Sequence, residues 1–351
     1  MKQMIETFTP TGGQHCITNA LKQVFSYYHH PVSEALLFGM GAALNFSYIN
    51  LSHSPMISGR TKPFEFEQKL AERLNIQINC RRPKNYDIGF AKARKMLQQN
   101  QPVIIYVDMP FLKYLGMNQT SHFGGHAVVL FGYDDEQSVF YVSDRDHSKF
   151  PIPTPKGELA KDYHVVGYQE LERARNSSFR PFPANNKYLE FDFSGYRAPN
   201  TETVIAAIHE TCEAMLQPPA KLLGVDGIAK FSREIIKWRT FDRQKLKTAG
   251  ITNYFQISKD GGTGGGIFRK LYGEFLIEVE PLVPTIGIKE IGYRFIHLAE
   301  EWDRLAERFW KLGNTGDSGL LGSMSEQITR LEEGEKEALK RLQMIINDEK
   351  S

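Results

Sequence analysis

The spacing of hydrophobic and polar residues in the first half of the chain predicts alternating helices and strands. After Cys16, apolar residues recur at intervals of three and four from Ile17 to Tyr28, which is typical of an amphipathic helix. The same spacing predicts further helices at 33–40, 63–74 and 87–97. Continuous or alternating apolar runs predict strands at 76–79, 102–107, 126–132, 138–143 and 188–193.

The second half is predicted to be helical, with apolar stripes at 201–217, 226–238, 266–279 and 287–312. Between 150 and 200 the composition shifts toward Pro, Lys, Arg and Asn, so we place a domain boundary near Gly195. We expect an α+β domain at 1–195, a helical domain at 196–313 and a charged helical tail at 314–351. The tail has only a thin apolar stripe. Three alternatives therefore stay open: the tail packs on the rest of the protein, it packs on a partner, or it is partly disordered.

The composition is that of a globular protein with balanced charge. The 351 residues are 41% hydrophobic, and 43 basic residues against 41 acidic ones leave a net charge of +2. No global field therefore favours nucleic acid or an anionic membrane. No segment approaches about 18 uninterrupted apolar residues, and no signal-peptide pattern opens the sequence. We expect a soluble, cytoplasmic protein without nucleic-acid or membrane partners, whose oligomeric state is open.

Cys16 is the cysteine whose sequence context favours reactivity. The chain has three cysteines and no CxxC pair, which argues against a disulfide framework or a structural zinc site. Cys16 follows the segment GGQH at 12–15 and directly precedes the amphipathic helix. A thiol in the first turn of a helix meets the positive end of the macrodipole, which favours the thiolate, and the same N–H groups can receive an oxyanion. The alternative is a small buried residue without a chemical role.

A predicted hairpin places a histidine opposite an aspartate. If its turn is centred on Asp135, then Leu130 faces Phe140 and His126 faces Asp144. Directly opposed residues share one face of a sheet with Cβ atoms about 4.5–5.5 Å apart. The imidazole of His126 could therefore donate a hydrogen bond to the carboxylate of Asp144.

Cys16, His126 and Asp144 are the residue types of a nucleophilic triad. The thiolate attacks a carbonyl, the imidazole keeps the thiol ionised and later protonates the leaving group, and the carboxylate fixes the imidazole tautomer. Such groups meet in space and need no particular spacing along the chain. Asp146 is the alternative acid if the turn centre shifts by one residue.

A metal site is the competing interpretation of the same region, because His122, His126, His147 and Asp144 are close in sequence. A catalytic metal needs three well-placed protein ligands. A triad of Cys16, His126 and Asp144 is a better chemical explanation of these side chains than a metal site. We therefore expect neither a metal nor a cofactor.

Four motifs of the first half occur together with a glycine-rich helical segment in the second half. They are GGQHC at 12–16, EALLFGMG at 34–41, GGHAVVLFGYD at 124–134 and VSDRD at 142–146. Together they resemble the N-terminal domain of the butirosin biosynthesis acyltransferase family. Residues 227–238 and 262–276 resemble the helical domain that commonly follows it.

The resemblance implies a papain-like, peptidase-related cysteine domain followed by a mainly α-helical domain. The founding member of the family moves a γ-glutamyl-aminobutyryl group from an acyl carrier protein thioester to an amine of an aminoglycoside. By that analogy Cys16 is the nucleophile, His126 the base and Asp144 the orienting acid. Gln14, His15 and the backbone N–H of Cys16 are candidates for oxyanion or substrate contacts.

Three further features have both a functional and a structural interpretation. The run GGTGGG at 261–266 can hold a phosphate or allow close helix packing. Tyr48, Asn45 and Arg60, in a Ser/Asn-rich segment read as a loop, can line a substrate cleft or simply be polar loop residues. A basic cluster can dock an acidic carrier protein or form a solvated helix face. It comprises Arg81, Arg82, Lys84, Lys92, Arg94 and Lys95.

The sequence thus predicts a cysteine-dependent acyltransferase of secondary-metabolite (antibiotic) biosynthesis. It would move an acyl group from an acyl carrier protein thioester to a small amine-bearing acceptor. An amidase or peptidase is the nearest alternative, since water can resolve the same acyl-enzyme. A non-catalytic binding protein on the same fold is the third.

Overall fold

The computed structural model describes residues 1–50, 54–118, 122–180, 182–283 and 287–348. The chain forms two compact units, each built from two stretches of sequence. The first unit comprises Met1–Leu37 and Asn75–Arg197, and the second comprises Phe38–Leu74 and Ala198–Ser351. The expected division at 195 and 313 differs from these units, because 38–74 groups with the C-terminal helices and the charged tail belongs to the same unit as they do.

The strands are short, and those in the described ranges pair antiparallel. They are β1 Lys2–Met4, β2 Leu44–Asn50, β3 Pro55–Arg60, β4 Gln77–Arg81, β5 Val103–Val107, β6 His126–Asp134, β7 Val139–Ser143, β8 Ile152–Thr154, β9 Gly157–Leu159, β10 His164–Gly167 and β11 Tyr188–Asp192. With the helices below, they make a mixed α/β fold whose C-terminal region is helical.

The helices predicted from apolar spacing are confirmed. The full set is α1 Cys16–Tyr27, α2 Glu34–Met40, α3 Glu65–Leu74, α4 Tyr86–Gln98, α5 Tyr168–Asn176, α6 Thr201–Leu216, α7 Gly224–Ile235, α8 Arg243–Ile257, α9 Arg269–Glu278, α10 Ile288–Thr315 and α11 Leu321–Asp348. The spacing missed α8 because its buried face includes Ala249, Gly250 and Asn253, which give no apolar stripe. No helix in the described ranges is long and apolar enough to cross a membrane.

The sheet of the first unit brings three strand ends to one edge. Its order is β10-β7-β6-β5-β11-β4, with β1 also paired to β6. Every residue of β6 is buried, as expected for a strand covered on both faces. Val107 at the end of β5 pairs with His126 at the start of β6, and Ser143 at the end of β7 pairs with Val129. The chain segments that leave these strands therefore meet beside His126.

The predicted register of the β6–β7 hairpin is wrong. Leu130 pairs with Val142 instead of Phe140, and the ladder shifts between Leu130 and Gly132. The cause is a β-bulge, which inserts one residue into β6 and changes which residues stand opposite each other. A turn centred on Asp135 is also wrong, because Asp134 pairs with Val139 and so leaves four residues in the loop.

Residues 44–50 and 55–60, read from the sequence as part of a loop, are strands β2 and β3, which pair antiparallel in the second unit. The side chain of Asn253 on α8 binds the backbone of β3 on both sides of Met56. Its Oδ1 accepts the N–H of Ile57 at 3.0 Å, and its Nδ2 donates to the carbonyl of Pro55 at 2.9 Å. Leu44, Phe46 and Tyr48 alternate with more exposed residues, which is the period of a half-buried strand.

A fully buried ion pair ties α11 to the rest of the second unit. Arg269 donates two hydrogen bonds of 2.8 Å to the carboxylate of Glu335, and both side chains are inaccessible to solvent. Arg269 also donates to the carbonyl of Asn45 at 3.1 Å, and Trp302 donates to Glu335 at 2.6 Å. The charged tail of the sequence is therefore an integral helix of the second unit.

The glycine run 261–266 allows close helix packing. Gly264, Gly265 and Gly266 all have positive φ, at 75°, 104° and 54°. A Cβ at Gly266 would collide with the backbone of Ala299 on α10. The N–H of Gly266 donates to Asp303 at 2.8 Å, so a carboxylate already takes the donor that a phosphate would need.

Candidate active site

Cys16 is the first residue of α1, as the sequence indicated. His15 is the N-cap residue in extended conformation and makes no side-chain cap. The first N–H groups of a helix have no acceptor within the helix and carry its positive partial charge. The N–H of Cys16, the first residue of α1, is one of these groups.

Glu34 holds the segment in front of Cys16. Its carboxylate accepts the backbone N–H of Gln14 at 2.8 Å and that of His15 at 3.0 Å. It also accepts the hydroxyl of Thr18 at 2.8 Å, and the ammonium of Lys22 lies 3.8 Å away. One buried side chain thus fixes the two residues before the nucleophile and the first turn of α1.

Two glycines let this segment lie against its supports. A Cβ at Gly13 would collide with the carboxylate of Glu34 and the amide of Asn19. A Cβ at Gly12 would collide with the side chain of His147. The glycines of the GGQHC motif are therefore required for close approach.

The polar face of α1 anchors the same segment to the end of β7. Gly13 N–H donates to the carbonyl of Arg145 at 2.8 Å. Asn19 donates to the carbonyl of Asp144 at 3.3 Å, and Gln23 accepts the hydroxyl of Ser143 at 2.7 Å. The start of α1 is therefore held at the edge of the sheet where His126 lies.

His126 and Asp144 form a buried hydrogen-bonded pair. Nε2 of His126 lies 2.8 Å from Oδ2 of Asp144. The other oxygen of Asp144 accepts the N–H of Arg145 at 2.7 Å, and Tyr114 donates its hydroxyl to Oδ2 at 2.8 Å. The pairing expected from the sequence is present, but Asp144 reaches His126 as the chain leaves β7 and not as its cross-strand partner.

The electrostatics of Cys16 and His126 favour an ion pair. Burial raises the pKa of the Cys16 thiol, but the charges of His15 and His126 and hydrogen bonds from both rings outweigh it and bring that pKa well below its usual value. Burial lowers the pKa of His126, whereas the charge of Asp144 and hydrogen bonds to Asp144 and Cys16 raise it, with a net result of about 10. These opposite shifts favour the thiolate–imidazolium form of the pair over the neutral thiol and imidazole.

Asp144 remains ionised in this environment. Burial raises its pKa, but the charge of His126 and hydrogen bonds from His126, Arg145 and Tyr114 lower it further, so the net pKa is well below the usual value. Because Nε2 of His126 bonds to Asp144, Nδ1 is the atom left for the sulfur. The three side chains thus form one continuous hydrogen-bonded series.

Asp146, the alternative acid, has a different partner. Both of its oxygens lie 2.9 Å from Nε2 of His164. A third pair joins Asp108 to Nδ1 of His122 at 2.8 Å. Within the described ranges, no group of three or more His, Cys, Asp or Glu side chains could hold a metal ion.

The remaining candidates from the sequence are placed as follows. The ring of His15 lies beside the thiol of Cys16 and bonds to it. Gln14 is in the same segment, and its carbonyl accepts from Arg145 at 3.4 Å. Tyr48 lies in the second unit, where its ring packs on Phe231 at 5.4 Å between centroids. A substrate contact by Tyr48 stays a prediction.

Two residues of the site carry a weak signal or none in the sequence. Glu34 lies in a quoted motif, but only the fold shows that it faces Gln14 and His15. Tyr114 lies between predicted elements, in a short 3-10 helix at Lys113–Leu115 that no spacing indicated. The basic cluster is partly neutralised, since Arg81 pairs with Glu190 at 2.5 Å and Arg94 pairs with Asp135.

Comparison with known families divides the chain in two. Residues 15–145 match the family described as Butirosin biosynthesis protein H, N-terminal, which confirms the resemblance seen in the motifs. Residues 169–342 match a domain of unknown function (DUF4872). No curated protein matches the chain. The first match contains Cys16, His126 and Asp144.

Proposed function

We propose that this chain, whose residues 15–145 belong to the butirosin biosynthesis protein H N-terminal family, is a cysteine-dependent acyltransferase. The family match supports a role in antibiotic biosynthesis as part of this proposal. The observation that carries the proposal is the series Cys16–His126–Asp144 at the edge of the sheet, with the thiol pKa lowered and the imidazole pKa raised to about 10. A papain-like arrangement, with a helix start facing a strand start, is part of the proposal.

In the first half-reaction the thiolate of Cys16 attacks the carbonyl carbon of an acyl thioester. The N–H of Cys16 donates to the oxygen that becomes negative. As the tetrahedral intermediate collapses, the carrier's C–S bond breaks and the imidazolium of His126 gives its proton to the leaving sulfur. The products are an acyl-Cys16 thioester, a free carrier thiol and neutral His126.

In the second half-reaction an amine attacks the acyl-enzyme. His126 takes a proton from the attacking nitrogen, and the bond between the carbonyl carbon and the sulfur of Cys16 breaks. An amide leaves, and the thiolate–imidazolium pair is restored. Asp144 stabilises the imidazolium in both half-reactions without itself being protonated.

The proposed partners follow from this chemistry. The donor is an acyl carrier protein and the acceptor is a small amine in the cytoplasm, where a reducing environment keeps Cys16 a thiol. Lys92 and Lys95 of α4 are among the basic groups that an acidic carrier could contact, whereas Arg94 is paired with Asp135.

The test is mass spectrometry of the intact protein with a simple thioester, acetyl-N-acetylcysteamine. We expect one acetyl group on the wild type and on Cys80→Ala, but none on Cys16→Ala. Cys80 is the matched control because its side chain is also partly exposed. On addition of ethanolamine, the acetyl group should leave as an amide at least tenfold faster than in water alone, a difference of about 1.4 kcal/mol in barrier.

The other outcomes separate the alternatives. Loss of the acetyl group to water at the same rate as to the amine would identify a hydrolase. An unmodified wild-type protein would indicate a binding protein in which the triad is not used for catalysis.

A further inference from the structure

Tyr114 contacts the triad directly, although the reaction above assigns it no part. Its hydroxyl donates to Oδ2 of Asp144 at 2.8 Å, and the same oxygen binds His126. The two donors approach one carboxylate oxygen, while Arg145 N–H binds the other at 2.7 Å. A carboxylate held by three donors cannot rotate away from the imidazole without losing one of these bonds.

Tyr114 is itself held in place from two sides. Its ring stacks face to face on His164, with centroids 3.8 Å apart and planes 6° apart. His164 is fixed by two contacts of 2.9 Å to Asp146, and both side chains are buried. The neighbouring N–H of Lys113 donates to Glu170 at 2.8 Å. The position of the phenol is therefore set by packing and hydrogen bonds independent of the triad.

The phenol of Tyr114 stays protonated, and so remains a hydrogen-bond donor, at neutral pH. Burial raises its pKa, and the charge of Asp144, the hydrogen bond to it and the charges of Asp146 and Glu170 raise it further, to well above the usual value. The charged groups that face His126 are Asp144 and Cys16. A neutral phenol beside an ionised carboxylate donates a hydrogen bond and keeps its proton, so the charge of the site does not change.

We propose that Tyr114 is a positioning residue that holds Asp144 in line with His126, with the ring of His164, clamped by Asp146, as its support. The proposal rests on the proposed role of the triad. Without the phenol, Asp144 keeps its charge but gains freedom to turn, and the hydrogen bond to His126 is formed for a smaller share of the time. Through its bond to Asp144, Tyr114 would in this way set how well the imidazole of His126 supports the thiolate of Cys16.

The test compares Tyr114→Phe with the matched control Tyr168→Phe. Tyr168 also donates to an aspartate at 2.8 Å, Asp135, but at the opposite end of β6, about 27 Å away at the rise of an extended strand. Phenylalanine keeps the ring that stacks on His164. NMR titration of His126 should give a pKa lower by about one unit in Tyr114→Phe and unchanged in Tyr168→Phe.

A double-mutant cycle shows whether Tyr114 acts through Asp144. In an Asp144→Asn background, adding Tyr114→Phe should leave the pKa of His126 unchanged, because the group being positioned is already altered. Equal shifts in both backgrounds would overturn the proposal. An unchanged pKa of His126 in Tyr114→Phe alone would also overturn it, since the phenol would then only fill space. A raised pKa would overturn it as well, since the phenol would then only weaken the negative charge of Asp144 that His126 experiences.

Acetylation by acetyl-N-acetylcysteamine separates this proposal from the proposed function. We expect the rate of acetyl-Cys16 formation to fall about tenfold in Tyr114→Phe and not in Tyr168→Phe. If the wild type forms no acetyl-enzyme, the acyltransferase proposal fails, whereas the NMR titration still decides the role of Tyr114.

Discussion

At the scale of single residues, the reactivity of Cys16 depends on its two histidine neighbours. Burial favours the thiol form, as at Cys212, where burial and the charge of Glu213 raise the pKa to about 12. His15 and His126 reverse that effect at Cys16 through charge and hydrogen bonds. The thiol pKa is therefore lowered at Cys16 and raised at Cys212, and the difference lies in the groups that surround each sulfur.

Labelling by iodoacetamide as a function of pH measures this difference. A thiol whose pKa is lowered gains reactivity at lower pH, so Cys16 should already label at pH 6, where a free cysteine is about 0.3% thiolate. We expect Cys16 to react at least tenfold faster than free cysteine there, allowing for the weaker nucleophilicity of a low-pKa thiolate. His126→Ala should remove most of that advantage.

Cys80→Ala is the control for this measurement and should label as the wild type does. If Cys16 reacts at the rate of free cysteine at pH 6, its thiol is not activated. If His126→Ala labels as fast as the wild type, His126 does not support the thiolate.

At the scale of elements, the junction between the GGQH segment and α1 decides where the nucleophile lies. Glu34 on α2 binds the N–H groups of Gln14 and His15, while Asn19 and Gln23 on α1 bind the end of β7. The helix start is therefore fixed by neighbouring elements, since His15 provides no cap of its own.

Gly13→Ala tests this junction. Its Cβ would displace Glu34 and Asn19, so we expect iodoacetamide labelling of Cys16 at pH 6 to fall about tenfold and stability to fall by about 1–3 kcal/mol. Gly167→Ala is the matched control, because nothing lies within 4 Å of the added Cβ. Labelling of Gly13→Ala at the wild-type rate would show that this packing does not position the thiol.

At the scale of the whole chain, the second unit is organised around buried charge. Arg269 reaches the β2–β3 hairpin through the carbonyl of Asn45, α10 lies beside it through Trp302, and α11 supplies Glu335. A buried ion pair adds little net stability compared with apolar packing, but loss of one partner leaves an uncompensated charge. Arg269 therefore needs α11 packed in its native position, because α11 supplies the counter-charge of Glu335.

Glu335→Gln should destabilise the second unit by about 3–5 kcal/mol, because Arg269 would stay buried without its counter-charge. Urea unfolding followed by tryptophan fluorescence measures this, since Trp238, Trp302 and Trp310 all lie in the second unit. Glu337→Gln on the same helix is the control, being 79% exposed, and should cost less than about 0.5 kcal/mol. Equal midpoints for the two variants would contradict a structural role for the pair.

Much of the helix and strand content was predictable because apolar spacing is a local property. The position of Cys16 at a helix start and the covered strand that begins at His126 were predictable in this way. The β6–β7 register was not predictable, since a bulge between Leu130 and Gly132 leaves no mark in the apolar pattern. The grouping of 38–74 with the C-terminal helices also depends on contacts between residues distant in sequence, such as Asn253 with Pro55.

By itself, the sequence determined the residue types of the candidate site, the elements that bear them and the family of residues 15–145. Only the tertiary structure decided that Asp144 binds His126 from beyond the end of its strand, that Glu34 fixes the segment before Cys16 and that Tyr114 reaches the same carboxylate. The physical reason is that a hydrogen bond forms only when the distance between donor and acceptor is right to within a few tenths of an ångström. Bulges, turns and packing set those distances, and spacing along the chain does not.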